Sequence, residues 1–351
     1  MMPELSQAWP LPARPRPIVV IGAGAIVRTA HLPTYRSLGF PVAGVYDPRV
    51  DAAMAVAREF SIPTVFPTLT AAAALEHAVY DLAVPGDQIL AILACLPRGA
   101  AVLMQKPMGP DLAAANAIRA CCRERGLTAA VNFQLRFAPK VLALGDLMAR
   151  AALGTIVDVD VRIVIDQPWH LWSFLKTAPR LEVPYHSIHY LDTIRWLIGD
   201  PDSVYCRVVR HPSMPDLADT RSSIILGYGD RVRCSLTLNH THRAGPRYRA
   251  SQMTVEGERG AARLTWGVNL AYPTGPPDTM EVALDGEWRD VPLRGSWFIA
   301  AFEGPMSNLQ RFIAGEDAVL LSGVDDAIKT MAVVEGCYTS SAHGGTPIPQ
   351  V

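Results

Sequence analysis

The sequence has no excess of charge of either sign. Charged residues are 19% of its 351, with 32 Lys+Arg against 33 Asp+Glu and a formal net charge of -1. Such a balance gives no general attraction to nucleic acid or to an anionic membrane, so neither is expected as a partner. Cysteine is also scarce. Cys95, Cys121, Cys122, Cys206, Cys234 and Cys337 include no CxxC pair. Their scatter speaks against a disulfide framework and for the reduced, buried thiols of a cytoplasmic protein. No apolar run is long enough to span a bilayer. The proline-rich stretch MMPELSQAWPLPARPRP reads as neither a secretory signal nor a membrane anchor. Residues 1–15 read as a flexible lead-in. There is no internal repeat.

Half of the residues are hydrophobic, enough for a sizeable core, and the length suggests two domains. Ile18–Ile21, Val42–Asp47, Ala83–Pro85, Ala101–Met104 and Ala129–Phe133 read as short strands. Between them lie helical stretches, among them Ile26–Leu38 (broken or restarted at Pro33), Asp51–Phe60 and Asp111–Gly126, the last with an Asp cap and a Gly stop. Strands alternating with helices predict βαβ units and a parallel sheet. After about residue 137 the pattern changes. Ile156–Ile165, Ser203–Val209, Ser222–Tyr228, Val232–Asn239, Gln252–Glu256 and Ala261–Trp266 are strand-like, with hairpin turns at Gly229-Asp230 and Gly257–Gly260. Helices are expected over Val183–Ile198, from near Phe302, and over Asp325–Ser341. The fold class is therefore an α/β Rossmann domain, residues 16–137, followed by an α+β domain, 138–351, with a large open, mainly antiparallel sheet. The last helix is a candidate to pack back on the first domain.

Gly22-Ala23-Gly24-Ala25-Ile26-Val27 follows the first strand and opens a helix. The first glycine permits a tight turn, and the second lets the backbone approach a pyrophosphate at the helix N-terminus. Val27 stands at the third, packing glycine. Asp47 ends the second strand about 20 residues on, where an acid accepts from the ribose hydroxyls of NAD. Arg49, two residues further, can pair with the 2′-phosphate of NADP. NAD is the expected cofactor and NADP the alternative. Gly22, Gly24, Ala25, Ile26, Asp47, Arg49, Pro85, Gln105 and Lys106 are the candidate cofactor contacts.

Later segments extend the pattern: Val84-Pro85, Gln105-Lys106-Pro107, Asn132-Phe-Gln-Leu-Arg136-Phe137, and His189-Tyr-Leu-Asp192-Thr-Ile-Arg-Trp196 with Gly199-Asp-Pro201. In this order and spacing the chain, from about residue 16, resembles the Gfo/Idh/MocA family, the glucose–fructose oxidoreductase and inositol dehydrogenase group. The resemblance implies a Rossmann domain, an open antiparallel sheet backed by helices, and hydride transfer between NAD or NADP and a sugar, inositol or polyol. It also implies a homodimer or homotetramer built through the sheet face. Two positions depart from the family's pattern. Gln105 stands where its Glu-Lys-Pro has the acid, and Tyr185 stands where its DxGxHxxD has the first aspartate.

Oxidation of a C–OH carbon requires removal of the hydroxyl proton. His189 is the candidate general base, with His186 one turn earlier as the other histidine to weigh. Lys106 is the candidate to stabilise alkoxide charge or to join a proton relay. Tyr185, four residues before His189, shares its face on an α-helix and either bonds the same substrate oxygen or orients the imidazole. Its phenol, with a reference pKa of about 10, is a poorer base than histidine. Asn132, Arg136, Trp169, His186 and Asp192 are candidate substrate contacts. Arg136 is equally a candidate salt-bridge residue, and Asp192 a helix anchor. His240 and His242 lie together, but no cysteine or carboxylate completes a ligand spacing, so no metal is expected. Two further functions fit the same motifs: a redox-neutral NAD-dependent glycosidase or lyase, and a dinucleotide-binding regulator without catalysis.

Overall fold

The structure is a computed structural model that describes residues 4–349. It divides into two compact units. One comprises Gln7–Leu142 with Ser296–Met331, and the other Ala143–Gly295 with the segments before Gln7 and after Met331.

The first unit is built on five parallel strands, β1 (Ile18–Ile21), β2 (Val42–Tyr46), β3 (Val79–Leu82), β4 (Ala101–Met104) and β5 (Thr128–Val131), in the order β2-β1-β3-β4-β5. β1, β3 and β4 are buried at every position, as expected where helices cover both faces of a parallel sheet. The connecting helices are α1 (Leu32–Ser37), α2 (Val50–Phe60), α3 (Leu69–Ala73), α4 (Ile89–Cys95) and α5 (Leu112–Arg125). Pro33 lies in the first turn of α1, where no N–H is needed. Asp111 caps α5 by accepting from Ala114 N at 2.8 Å, and Gly126 closes it at φ 66°. The helix Glu303–Ile313 adds Met306 and Leu309 to the core of Ile18, Val20, Leu103 and Ala130. Each such side chain contributes about 1.5–3 kcal/mol by leaving water.

In this sheet the third and fifth strands differ most from the sequence reading. The third strand is Val79–Leu82, not Ala83–Pro85, and the fifth ends at Val131 rather than Phe133. A charge at Asp81 breaks the apolar run of the third strand. It is tolerated in the fully buried strand because His31 and Tyr35 both bond its carboxylate.

The second unit carries an eight-stranded sheet: β6 (Ile156–Val164), β7 (Ser203–Val209), β8 (Arg221–Tyr228), β9 (Val232–Asn239), β10 (Ala250–Gly257), β11 (Gly260–Thr265), β12 (Thr279–Leu284) and β13 (Glu287–Asp290). The order is β13-β12-β11-β10-β6-β9-β8-β7, antiparallel except between β6 and β9. Register sets the two faces. The row Leu226, Cys234, Val159, Val255, Ala262, Val282 is buried. The next row, on the other face, reads Ile225, Ser235, Asp160, Thr254, Arg263, Glu281. β12 and β13 were not anticipated. Helix α6 (Pro139–Ala149) precedes the sheet. After β6, a π-helical turn over Val183–Ser187 runs into α7 (Ile188–Ile198).

The lead-in segment makes specific bonds. Ser6 N donates to Asp146 in the second unit, and Trp9 Nε1 donates to Asp317 at 2.8 Å in the first. All six thiols are free. Burial pushes those of Cys122 and Cys234 up to about 12, which makes them inert packing groups. Cys121 and Cys206 are half-buried, and Cys95 lies exposed.

Candidate active site

The nucleotide end of the first unit is set by the carboxyl ends of β1 and β3, where the strand order reverses. Gly22 adopts φ +112°, and a Cβ there would lie 2.4 Å from Ala83 O. Only glycine makes this turn. At Gly24 a Cβ would meet no atom within 4 Å, and Ala25 is exposed. The start of the helix is thus bare backbone, the cradle that a pyrophosphate needs. Ile26 is half-buried, and Val27 is fully buried in the core, so the third glycine position serves packing. Pro85 is exposed at the head of a short turn, Gly86–Gln88.

Asp47 lies just beyond β2 and already has several donors. Its Oδ2 accepts from Ala23 N at 2.8 Å, and its Oδ1 accepts from Arg49 N at 2.9 Å and Arg49 Nε at 3.2 Å. Burial alone would raise its pKa. The bonds from Arg49 and Ala23, together with the guanidinium charge, outweigh this and hold it below the ordinary value. These groups fit the adenosine and diphosphate portion of a dinucleotide, provided that the exposed Arg49 yields or shares the carboxylate.

At the end of β4, Lys106 is half-buried, and burial lowers its pKa to about 8. Its backbone N–H donates to Gln105 Oε1 at 3.3 Å. Gln105 Nε2 lies 2.7 Å from His31 Nε2, and Asn132 Nδ2 lies 3.3 Å from the same nitrogen. His31 Nδ1 lies 2.7 Å from Asp81 Oδ2, which also accepts from Tyr35 OH at 2.9 Å. Gln105 and Asn132, both chosen as ligand contacts, therefore meet on a buried histidine that the sequence reading passed over. Arg136 lies apart. Its guanidinium bonds Leu321 O and Asp326 Oδ2, both at 2.6 Å, in a salt bridge within this unit.

The second unit gathers a separate cluster. His189 and Asp192 are buried on α7, and Thr193 Oγ1 bonds His189 O. The π turn changes the geometry before them. Ile188 N reaches back to Val183 O, so the four-residue step from Tyr185 to His189 is not the α-helical step assumed from spacing. Tyr185 is half-buried and packs on the apolar group Trp169, Leu175, Leu181 and Leu217. The His186 ring stacks at 4.5 Å from His240, and the Trp169 ring meets His186 edge-on at 4.8 Å. Trp169 Nε1 donates to His240 O.

Beneath them lies an acid not singled out in the sequence. Glu182 is fully buried. Its Oε1 accepts from Ser187 Oγ at 2.6 Å and pairs with His240 Nε2 at 3.2 Å. Asp219 accepts from Glu182 N at 2.6 Å. Burial raises the Asp219 pKa, and the neighbouring Glu182 charge adds to the rise against opposing hydrogen bonds. Among the described residues, no group of three or more His, Cys, Asp or Glu is arranged to hold a metal ion.

Comparison with known proteins agrees with this framework. A model of an oxidoreductase family with an NAD-binding Rossmann fold matches residues 16–133, and a GFO/IDH/MocA C-terminal domain matches residues 141–263. The chain is 27% identical over 348 residues to D-apiose dehydrogenase of Paraburkholderia graminis, covering 93% of this chain and 88% of that protein. In fold it is similar to levoglucosan dehydrogenase in complex with NADH and levoglucosan, with TM-score 0.80, 15% identity, and coverage of 94% and 98%. It is also similar to aldose-aldose oxidoreductase from Caulobacter crescentus, with TM-score 0.79, 17% identity, and coverage of 95% and 99%. With its two domain matches spanning most of the chain, and with a turn at Gly22 and Gly24 shaped for a dinucleotide, this protein belongs to the Gfo/Idh/MocA family of oxidoreductases and carries that family's NAD-binding Rossmann domain.

Proposed function

We propose that the chain is an NAD-dependent dehydrogenase acting on the CH–OH group of a sugar, polyol or inositol-like molecule, with NADP as the alternative cofactor. The observation that carries this reading is Lys106. It is a half-buried lysine with a pKa lowered to about 8, at the carboxyl end of β4 in an NAD-binding domain. The carboxyl edge of an open α/β sheet is where ligands bind. A cation kept there at a cost in hydration serves to stabilise developing negative charge.

The nicotinamide, when bound, accepts or returns the hydride. Lys106 holds the substrate oxygen as it gains alkoxide character. His189 takes the hydroxyl proton in oxidation and returns it in reduction. Tyr185 and His186, on the π turn before α7, are further candidates for substrate contact in the second unit, and Trp169, buried against Leu175, Leu181 and Leu217, supports His186 edge-on. Asp192 anchors α7. A small molecule of this class also fits the relatives, one named for apiose and one for levoglucosan. The face of the eight-stranded sheet bearing Ile225 and Tyr205, both exposed, supports a homodimer or homotetramer, and a cytoplasmic location is part of the same proposal. No described helix is long and apolar enough to cross a membrane.

The test is absorbance at the NADH band with NAD, then NADP, against sugars, inositols, polyols and aryl glycosides. A rise with one polyol class is expected. Lys106→Ala and His189→Ala should each lower turnover by about 100-fold or more with NAD affinity nearly unchanged. A flat trace accompanied by aryl glycoside cleavage would replace the dehydrogenase with a redox-neutral lyase. Wild-type turnover in either variant would remove that residue from the mechanism.

A further inference from the structure

His31 joins the carboxyl ends of three strands. Its Nδ1 meets Asp81 on β3, and its Nε2 meets Gln105 just after β4 and Asn132 just after β5. His31, Asp81 and Asn132 are each at most 2% exposed, and Gln105 is half-buried. Tyr35 OH adds a second donor to Asp81, and the ring of Phe302 packs 5.6 Å from the imidazole.

The donors and acceptors fix the proton. With Asp81 as a carboxylate, which can only accept, Nδ1 carries the hydrogen. Lys106 N–H needs an acceptor, which sets the Gln105 oxygen toward it and the Gln105 amide toward His31. Nε2 is therefore the acceptor, and the ring is neutral in the Nδ1–H form. An acid at position 105 would face that lone pair with another lone pair, beside a carboxylate already buried at Asp81. The amide in place of the family's glutamate is thus the partner that this imidazole requires.

We propose that His31 is a positioning residue for Lys106: the chain Asp81–His31–Gln105 holds the carboxamide whose oxygen accepts from Lys106 N–H, and so fixes where the lysine leaves the sheet. A single negative charge is permitted on this chain, and it sits on Asp81. The role in turnover rests on the reading of Lys106 given above. The charge rule does not, and it is read without substrate.

Nitrogen-15 NMR of the full-length protein should show His31 protonated at Nδ1 only. An Nε2–H or doubly protonated ring would overturn the proposal whether or not any variant folds. Gln105→Glu and Asp81→Asn should each lower the melting temperature, and each should lower kcat by about tenfold while KM and NADH affinity stay within about twofold. The double variant moves the one charge across the ring. It should reverse the tautomer and bring kcat back to within about threefold of the parent. Losses in the double variant equal to the product of the single losses would overturn the charge rule. Recovery of melting and tautomer without recovery of kcat would overturn the positioning of Lys106 alone. If the protein turns over no CH–OH substrate, the NMR and melting results still decide the charge rule.

Discussion

The guanidinium of Arg49 lies on the carboxylate of Asp47, with Nε 3.2 Å from Oδ1. The pair is asymmetric. The Asp47 side chain is 7% exposed and fixed by Ala23 N, whereas that of Arg49 is 72% exposed. Only the arginine is free to move when a nucleotide enters, and its two positions serve two cofactors. Swung away, it leaves Asp47 to accept from ribose hydroxyls. Turned toward a 2′-phosphate, it offsets the charge that Asp47 would otherwise repel.

Arg49→Ala should therefore weaken NADPH by about tenfold and leave NADH equal or up to severalfold tighter, since the carboxylate is released. Asp47→Ala should weaken NADH by about tenfold and narrow the preference over NADPH. Fluorescence titration of the reduced cofactors measures both. Equal NADH and NADPH losses in Arg49→Ala would remove the arginine from cofactor choice.

Lys106 gives a pH prediction whose sign is set by burial. Its ordinary pKa of 10.5 falls to about 8 in the fold because burial penalises the ammonium. Below about pH 8 the folded state bears the full cost, about 3 kcal/mol. Between 8 and 10.5 the unfolded chain binds more protons, so this group's contribution to stability rises with pH. Lys106→Met should raise the unfolding free energy at pH 7 by about 2–3 kcal/mol, remove that rise and abolish turnover. In the reductive direction, kcat/KM of the parent should decline above about pH 8, and Lys106→Arg should carry that limb upward. Urea unfolding at pH 7 and pH 9.5 and a pH–rate profile decide both. A lysine variant no more stable than the parent would show that the cost is offset within the fold.

What the sequence makes legible is what repeats or punctuates. The run Ile18–Ile21 with Gly22 and Gly24, the Asp111 and Gly126 caps, and the alternation of Ile156–Val164 all announce their structures. β12 and β13 were missed although Asp285-Gly286 between them, with φ of 58° and 81°, is a strong hairpin signal. The exposed EWRD of β13 lacks the alternation by which a strand is recognised. β3 was displaced because Asp81 reads as a breaker until its partners are known. Those partners, His31 and Tyr35, lie 50 and 46 residues away. Likewise Glu182 lies 58 residues from His240, and nothing in LEVPYHS marks the glutamate as buried. Motifs located the nucleotide turn and Lys106. The polar networks that support them depend on long-range pairings, which a single sequence does not record.

The Glu182–His240 pair yields the last prediction. The carboxylate is fully buried, with one oxygen held by Ser187 and His240, while its Oε2 has no hydrogen-bond partner among the described residues. Asp219 lies beside it, bonded to Glu182 N and to the Tyr338 hydroxyl, so removing the imidazole would leave the Glu182 carboxylate next to another buried acid with the Ser187 hydroxyl as its donor. Breaking a buried pair from one side costs more than removing both members. His240→Ala should lower the unfolding free energy by about 3 kcal/mol, and Glu182→Gln by less, because the amide still bonds Ser187. The double variant should be more stable than His240→Ala alone, since the charge that lost its partner is gone. His240 also stacks on His186, so the histidine variant should lower turnover beyond what Glu182→Gln does. Denaturant unfolding of the three variants measures the coupling. Strict additivity would mean that the two side chains are neighbours without an energetic link, and the buried acid would then have to be held by Ser187 alone.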